Sequence, residues 1–225
     1  MQNKYFGDIS DFYKYYFLRN ICLDYKLGIN WCLIPNDDSN DGKHIITKKK
    51  RLKNIDEKLY KILEKSILNN NRNTKYIENG YFNNDTIFYN SVYEKYFLDG
   101  VYEEKAFNNL INQDIIFFDP DNGIEVPSTK AIDKLKYVQY RTILKYWNNK
   151  KSMIIFQFRD FVSNSIKDKR NKLIECLKCS KNNIKVIKIE NVYYFCLINN
   201  KHKKLFKSIS DFINYNKELK YEIIV

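Results

Sequence analysis

Glycine and proline are scarce in this sequence of 225 residues, which contains six glycines and three prolines. Average usage would be about 7% glycine and about 5% proline, so flexible linkers and a glycine-rich nucleotide loop have little material from which to form. The sequence also shows no internal repeat and no convincing domain boundary. It therefore predicts a single domain over residues 1–225.

Targeting signals and long apolar runs are absent as well, and the five cysteines follow no disulfide framework. Cys176 and Cys179 form a Cys-x-x-Cys pair without a nearby histidine, so we expect core thiols there and not a zinc site. These features indicate a protein of the reducing cytoplasm that does not enter a membrane.

The charge is strongly unbalanced, with 39 lysines and arginines against 27 acidic residues and a net charge of +12. Such an excess favours a polyanionic partner, RNA or DNA, because cations that neutralise phosphates bind through counterion release. The densest basic run is the candidate nucleic-acid-binding segment, and it contains Lys48, Lys49, Lys50, Arg51 and Lys53. A lysine-rich composition that merely solvates the surface is the alternative.

The stretch from Asp114 to Glu125 predicts a buried strand followed by a site. The four apolar residues Ile115–Phe118 suit a strand covered on both faces. Pro120 ends the strand because it lacks an N–H, and side chains at the carboxyl end of such strands commonly bind ligands. The candidate site residues here are Asp119, Pro120, Asp121, Asn122 and Glu125. A polar loop that only satisfies its own turn is the alternative.

A second apolar run, Ile29 to Ile34, predicts another buried strand that Pro35 ends. The loop beyond it is rich in carboxylates, namely Asp37, Asp38 and Asp41, and it closes on Gly42. If the two strands are parallel neighbours, these side chains lie at the same edge of the sheet as Asp119. Simple solvation of the three carboxylates is the alternative.

The rest of the chain alternates between helical and extended patterns. We predict helices over residues 8–25, 55–68, 102–111, 128–135, 140–147, 166–179 and 203–213, and strands over 86–89, 152–158, 184–189, 192–198 and 221–225. Residues 184–198 form two strands joined by a two-residue loop, which must therefore be antiparallel. The predicted fold is α/β with three layers: a mainly parallel sheet, helices on both faces and an antiparallel hairpin near the C-terminus.

Two short motifs resemble S-adenosylmethionine-dependent methyltransferases of class I. Residues 7–15, Gly-Asp-Ile-Ser-Asp-Phe-Tyr-Lys-Tyr, resemble the Gly-Asn-x-x-Asp-x-x-Lys-His segment of the bacterial large-subunit ribosomal-RNA adenine-N6 methyltransferases. Asp119 and Pro120 resemble the start of the Asp-Pro-Pro-Tyr motif of amino-methyltransferases. The resemblance implies a Rossmann-like layout, with Lys14 as a functional lysine and Asp119 as the catalytic acid. We therefore expect Lys14 to lie within reach of the same cleft as Asp119, at the carboxyl end of the parallel strands.

The resemblance also implies a division of labour among these residues. The Asp119 side chain and the Pro120 carbonyl would accept the hydrogens of an adenine amine, with Asp121 and Asn122 in place of the second proline and the aromatic residue. S-adenosylmethionine would lie against the first loop, which contains Asp37, Asp38, Asp41 and Gly42.

Two other functions remain open from the sequence. Asp119, Asp121 and Glu125 could hold Mg²⁺ or Mn²⁺ for hydrolysis of phosphodiesters or phosphomonoesters, as in a nuclease or phosphoesterase. A nucleic-acid-binding module on a degenerate methyltransferase fold would need no catalysis at all.

Overall fold

The structure is a computed structural model that describes residues 1–38, 42–93, 100–126, 131–159 and 165–224. The strands in these residues are β1 (Leu27–Asn30), β2 (Ile87–Tyr89), β3 (Ile115–Phe118), β4 (Gly123–Ile124), β5 (Tyr137–Val138), β6 (Ser152–Phe158), β7 (Ile184–Ile189), β8 (Val192–Leu197) and β9 (Glu222–Ile223). Seven of them form one sheet in the order β2-β1-β3-β6-β8-β7-β9, and β4 pairs with β5 separately.

The sheet has a parallel half and an antiparallel half. Strands β2, β1, β3 and β6 run parallel to one another, and Asn30 of β1 is level with Phe118 of β3. Strand β8 then reverses direction against β6 and β7, and β9 reverses against β7. The predicted hairpin is confirmed, and this mixed α/β layout is compatible with a Rossmann-like fold without being specific to it.

Helices cover both faces of the sheet, in agreement with the predicted three layers. The α-helices in the described residues are α1 (Ile9–Ile21), α2 (Glu57–Leu68), α3 (Lys75–Glu78), α4 (Val101–Leu110), α5 (Tyr140–Asn148), α6 (Ser165–Leu177) and α7 (Leu205–Tyr215). Helices α1, α2, α3 and α7 pack on one face, and α4, α5 and α6 pack on the other.

The side chains of β3 show why the strand is apolar throughout. Ile115 and Phe117 belong to the core under α1, whereas Ile116 and Phe118 belong to the core under α4 and α5. Successive side chains of a strand point to opposite faces, so a strand between two helical layers needs apolar residues at every position. The predicted bounds of β3 and β6 agree with the structure.

The predicted strand from Ile29 to Ile34 is wrong in its position, because β1 spans Leu27–Asn30. The Asn30 side chain accepts the Cys32 N–H at 2.9 Å, and Cys32 turns into the left-handed region with φ of 47°. The chain therefore leaves the sheet five residues before Pro35. The apolar residues that follow β1 are buried in a loop. The apolar run from Ile29 to Ile34 therefore indicates burial and not a strand.

Two helix predictions also need correction. Helix α1 ends at Ile21 and not near Tyr25. The helix predicted from residue 128 begins outside the described residues, and Ala131–Lys136 forms a 3₁₀ helix where an α-helix was expected. The predicted closing strand is reduced to Glu222–Ile223.

Among the described residues, no helix is both long and apolar enough to cross a membrane.

Candidate functional site

Lys14 lies between two carboxylates at the carboxyl end of the parallel strands. Its Nζ is 2.8 Å from Asp11 Oδ1, one turn earlier in α1, and 2.8 Å from Asp119 Oδ2, directly after β3. The backbone N–H of Asp119 donates to the carbonyl of Asn30 at the end of β1, at 3.0 Å. As the sequence predicted, Lys14 and Asp119 meet at this edge. We call Asp11, Lys14 and Asp119 the edge network.

The edge network is almost completely buried, with Asp11, Lys14 and Asp119 exposing 2%, 3% and 1% of their surface. Burial raises the pKa of Asp119 above its ordinary value, against the opposing charges of Lys14 and the Met1 ammonium. Burial alone would lower the pKa of Lys14, but Asp11 and Asp119 outweigh it and hold that pKa above its usual range. When all three groups are ionised, the network carries one excess negative charge.

Two tyrosine hydroxyls lie beside the edge network. Tyr15 and Tyr194 are fully buried, and neither hydroxyl has a partner among the described residues. Burial raises the pKa of both phenols, and the charges of Asp11 and Asp119 raise it further. Both hydroxyls therefore stay protonated. Unpaired buried polar groups cost stability, and natural proteins concentrate such costs at functional sites.

The first residues of the chain cross the loops that follow β1 and β3. The Met1 ammonium lies 3.1 Å from Asp121 Oδ1 and donates to the Cys32 carbonyl at 2.7 Å. Gln2 Nε2 donates to Asp121 Oδ2 at 2.8 Å and to Asp37 Oδ2 at 3.0 Å. Asp37 and Asp121 therefore lie at the same edge of the sheet, as predicted. Both carboxylates are already occupied by groups of the chain itself.

The loop after Asp119 is held by Gln157 of β6. The Gln157 amide donates to the Asn122 carbonyl at 2.7 Å, and its oxygen accepts the Ile124 N–H at 3.0 Å. Gly123 has a φ of 113°, and a Cβ there would overlap the Gln157 amide. Glycine is therefore required at this position. Pro120 is buried, whereas Asn122 is half-buried.

The turn after β1 is made without glycine. Asn30 Oδ1 accepts from the Cys32 N–H at 2.9 Å and from the Tyr102 hydroxyl at 3.0 Å. These bonds hold Cys32 in a left-handed conformation, which costs a residue other than glycine about 1–3 kcal/mol. Burial raises the pKa of the Cys32 thiol to about 12, so the thiol is neutral at pH 7.

A small cleft opens beside this turn, between the ends of β1 and β3. Its lining includes Cys32, Tyr93, Tyr102 and Phe118, and its volume is about 30 Å³. Ligand pockets usually measure about 300–1,000 Å³, so the cleft has room for water and not for a nucleoside. Glu103 Oε2 is buried nearby without a partner among the described residues.

The predicted cofactor residues do not share one set of contacts. Asp37 binds Gln2, and Asp38 is exposed. Asp41 lies outside the described residues. The Gly42 carbonyl accepts from Arg72 Nη1 at 2.6 Å, which ties this loop to the start of α1. Their role in cofactor binding stays a prediction, and the contacts of Asp37 and Gly42 are those of a structural loop.

The predicted metal ligands also have separate partners. Asp119 pairs with Lys14, Asp121 pairs with the Met1 ammonium, and Glu125 Oε1 accepts the Tyr140 N–H at 2.6 Å. In the ranges that the structure describes, no three His, Cys, Asp or Glu side chains are grouped so that they could hold a metal ion. Binding of Mg²⁺ or Mn²⁺ stays a prediction.

The predicted basic segment forms two consecutive 3₁₀ helices, Ile46–Lys48 and Lys50–Asn54. Ile46 and Leu52 are fully buried and anchor it to the core. Lys49 forms an ion pair with Glu190 at the tip of the β7–β8 hairpin. The remaining cations are exposed to solvent: Lys48, Lys50, Arg51 and Lys53.

Several residues that build the site were missed by sequence reasoning. Asp11 and Lys14 have the spacing of an ordinary solvated helical pair, although the pair is buried. Gln2, Arg72 and Gln157 were not singled out. Arg72 joins three separate backbone and side-chain acceptors, among them Asp8 Oδ1 at 2.5 Å. Single polar residues produce no periodic pattern in a sequence. Gln157 is an exception, because a polar residue within an apolar strand departs visibly from its surroundings.

Comparison of this chain with protein-family models, with curated proteins and with solved structures found no match.

Proposed function

We propose that this protein is a non-catalytic module that binds RNA or DNA through the exposed cations of its basic segment. The observation that carries the proposal is the exposure of Lys48, Lys50, Arg51 and Lys53 on a short segment whose apolar residues are buried. Buried anchors fix the backbone, so the cations are presented from a rigid base.

The geometry of the segment suits a phosphate backbone. Lys50 and Lys53 are three residues apart in a 3₁₀ helix, and side chains with that spacing lie on the same face. Contacts of lysine and arginine with phosphates position a protein on nucleic acid without reading its sequence. The net charge of +12 would add long-range attraction. We therefore infer binding that depends on salt and tolerates many sequences.

The closed state of the edge network supports a function without catalysis. A catalytic Asp119 would have to reach a substrate, but the residue is 1% exposed and its carboxylate is held by Lys14. The neighbouring cleft has a volume of about 30 Å³, and Asp121 is paired with the Met1 ammonium.

Fluorescence anisotropy with labelled duplex and hairpin RNA and DNA at low salt tests the proposal. Reversing Lys50, Arg51 and Lys53 to Glu should weaken binding by at least about tenfold. Each lost phosphate contact also removes the counterion release that accompanied it. A matched control reverses three exposed lysines near α7, namely Lys201, Lys203 and Lys207. Equal losses in both triple variants, or no binding by the wild type, would contradict the proposal.

Methyl transfer to an adenine amine is a second candidate, and the contact between Lys14 and Asp119 favours it. The two motifs that resemble methyltransferases lie 105 residues apart, yet they meet at the carboxyl end of adjacent parallel strands. The mixed sheet is compatible with the layout of that class. Under this candidate, Asp119 and the Pro120 carbonyl would orient the amine of the acceptor base.

Calorimetric titration separates the catalytic candidates from the binding module. Binding of S-adenosylmethionine without metal would support methyl transfer, and Asp119→Asn should then retain the cofactor and lose activity. Stabilisation by Mg²⁺ or Mn²⁺ that disappears in Asp121→Asn would support the nuclease or phosphoesterase alternative. Binding of neither ligand by protein that binds nucleic acid supports the non-catalytic module.

We also infer a reducing compartment, the cytoplasm, for this protein. All five cysteines are free: Cys22, Cys32, Cys176, Cys179 and Cys196. Free thiols persist in reducing compartments and tend to be oxidised outside them. A fluorescent fusion followed by cell fractionation tests the location.

A further inference from the structure

A groove of about 550 Å³ lies between α1 and α7, and its lining includes no residue of the edge network or of the basic segment. Tyr16 and Phe212 form part of its wall, with ring centroids 5.6 Å apart. Its lining also includes Leu23 and Tyr215, which are 58% and 85% exposed. Large apolar side chains that border a groove are typical of protein interaction sites.

The charge of this groove is opposite to that of the whole chain. Its described lining contains Asp24 and Asp211 but no lysine or arginine, although the chain has a net charge of +12. Neither carboxylate forms an ion pair with another described residue, in contrast to Asp11 and Asp119. Asp211 and Tyr215 are four residues apart in α7, so they share one face of the helix.

These observations define the chemistry of the occupant. Carboxylates repel nucleic acid, so the groove does not extend the proposed nucleic-acid surface. They attract lysine or arginine, and the exposed aromatic and aliphatic side chains favour an apolar neighbour. We propose that this groove docks a cationic segment of another protein, in which an apolar side chain is flanked by lysine or arginine.

The apolar part of the segment would pack against Leu23 and Tyr215, and its cations would pair with Asp24 and Asp211. Such pairing at the rim mainly provides specificity, whereas packing at the aromatic centre provides affinity. This division predicts that substituting the carboxylates and substituting the Tyr215 ring weaken peptide binding independently of each other.

Fluorescence anisotropy with a synthetic labelled peptide tests the docking groove. The probe alternates leucine with lysine and arginine, and its twin replaces every cation with glutamate. The wild type should bind the cationic peptide and not the acidic one. Asp211→Lys and Asp24→Lys should each weaken binding by about tenfold, and Tyr215→Ser should weaken it without changing the salt dependence.

Glu175→Lys is the matched control, because Glu175 is exposed on α6 and does not line the groove. It makes the same change of charge and should alter peptide binding by less than about twofold. Circular dichroism confirms that each variant is folded. Equal binding by the wild type and Asp211→Lys overturns the proposal. So does self-association that Asp211→Lys abolishes, because the occupant would then be a second copy of this chain.

Discussion

Helix α1 borders two places where a pair of carboxylates meets aromatic side chains, and the two differ in how the charge is balanced. In the edge network, Asp11 and Asp119 are buried around Lys14. In the groove, Asp24 and Asp211 have no cationic partner among the described residues and remain open to solvent. A buried carboxylate needs an internal partner, whereas an open carboxylate remains available to an external one.

In this molecule, buried charges stabilise the fold, whereas exposed charges remain available to partners. The edge network contains residues that resemble a catalytic motif, but it is buried like a structural ion-pair network. The groove and the basic segment have exposed charges of opposite sign on a folded scaffold. Partners of opposite charge could therefore bind different surfaces of the same molecule without competing.

Removal of the buried cation should have the largest effect on stability. Lys14→Met leaves Asp11 and Asp119 without their shared partner, and breaking a buried pair costs about 3–5 kcal/mol. Asp119→Asn should cost less, because it leaves Lys14 and Asp11 as a neutral pair. Urea denaturation monitored by circular dichroism measures the free energy of unfolding of both variants.

Asp211→Asn is the control from the open groove and should change the free energy of unfolding by less than about 0.5 kcal/mol. A cost for Lys14→Met that is as small as the cost for Asp211→Asn would show that the two regions do not differ.

Gly123→Ala should have the next largest effect, because it disturbs the loop that closes the edge. The positive φ and the overlap with Gln157 together should cost about 3 kcal/mol. Gly80→Ala is the matched control, since Gly80 has a φ of 83° and no described atom lies within 4 Å of the place that a Cβ would occupy. Only the backbone penalty of about 1–2 kcal/mol applies there. Similar melting temperatures for the two variants would contradict the packing argument.

A smaller effect on stability is expected from Asp8, which is half-buried. Burial and repulsion by Asp11 raise its pKa from 3.8 to about 6, although Arg72 and His44 act in the opposite direction. The folded state therefore binds this proton more tightly than the unfolded state does. The resulting stability is fully present below about pH 4 and is lost as pH rises through about 6, by about 2–3 kcal/mol.

Urea denaturation of the wild type and Asp8→Asn at pH 4, 5, 6 and 7 measures this dependence. The difference in unfolding free energy between the two proteins should shift against the wild type as pH rises from 4 to 6. A difference that does not vary with pH would refute the proposed linkage.

The sequence predicted those parts of the fold that local patterns specify. Ile115–Phe118 and Ser152–Phe158 were predicted with their observed bounds because each is an apolar run between turn residues. The meeting of Lys14 with Asp119 followed from placing both at the carboxyl end of the sheet. The run from Ile29 to Ile34 failed because one side-chain acceptor, Asn30, ends the strand inside it.

The unpredicted parts depend on contacts between distant residues. No local pattern indicates that Gln2 bridges Asp37 and Asp121, or that Gln157 fixes the loop at Gly123. Burial of the edge network could not be read from the sequence either, because Asp11 and Lys14 also have the spacing of a solvated helical pair.

The salt dependence of nucleic-acid binding tests the central claim most directly. The logarithm of the binding constant should fall linearly with the logarithm of salt concentration, with a slope of about −0.9 for each phosphate neutralised on duplex DNA. Neutralising Lys50, Arg51 and Lys53 to Gln should reduce the magnitude of that slope by about 2–3. An unchanged slope in this variant, or wild-type binding that does not depend on salt, would contradict the assignment of the basic segment.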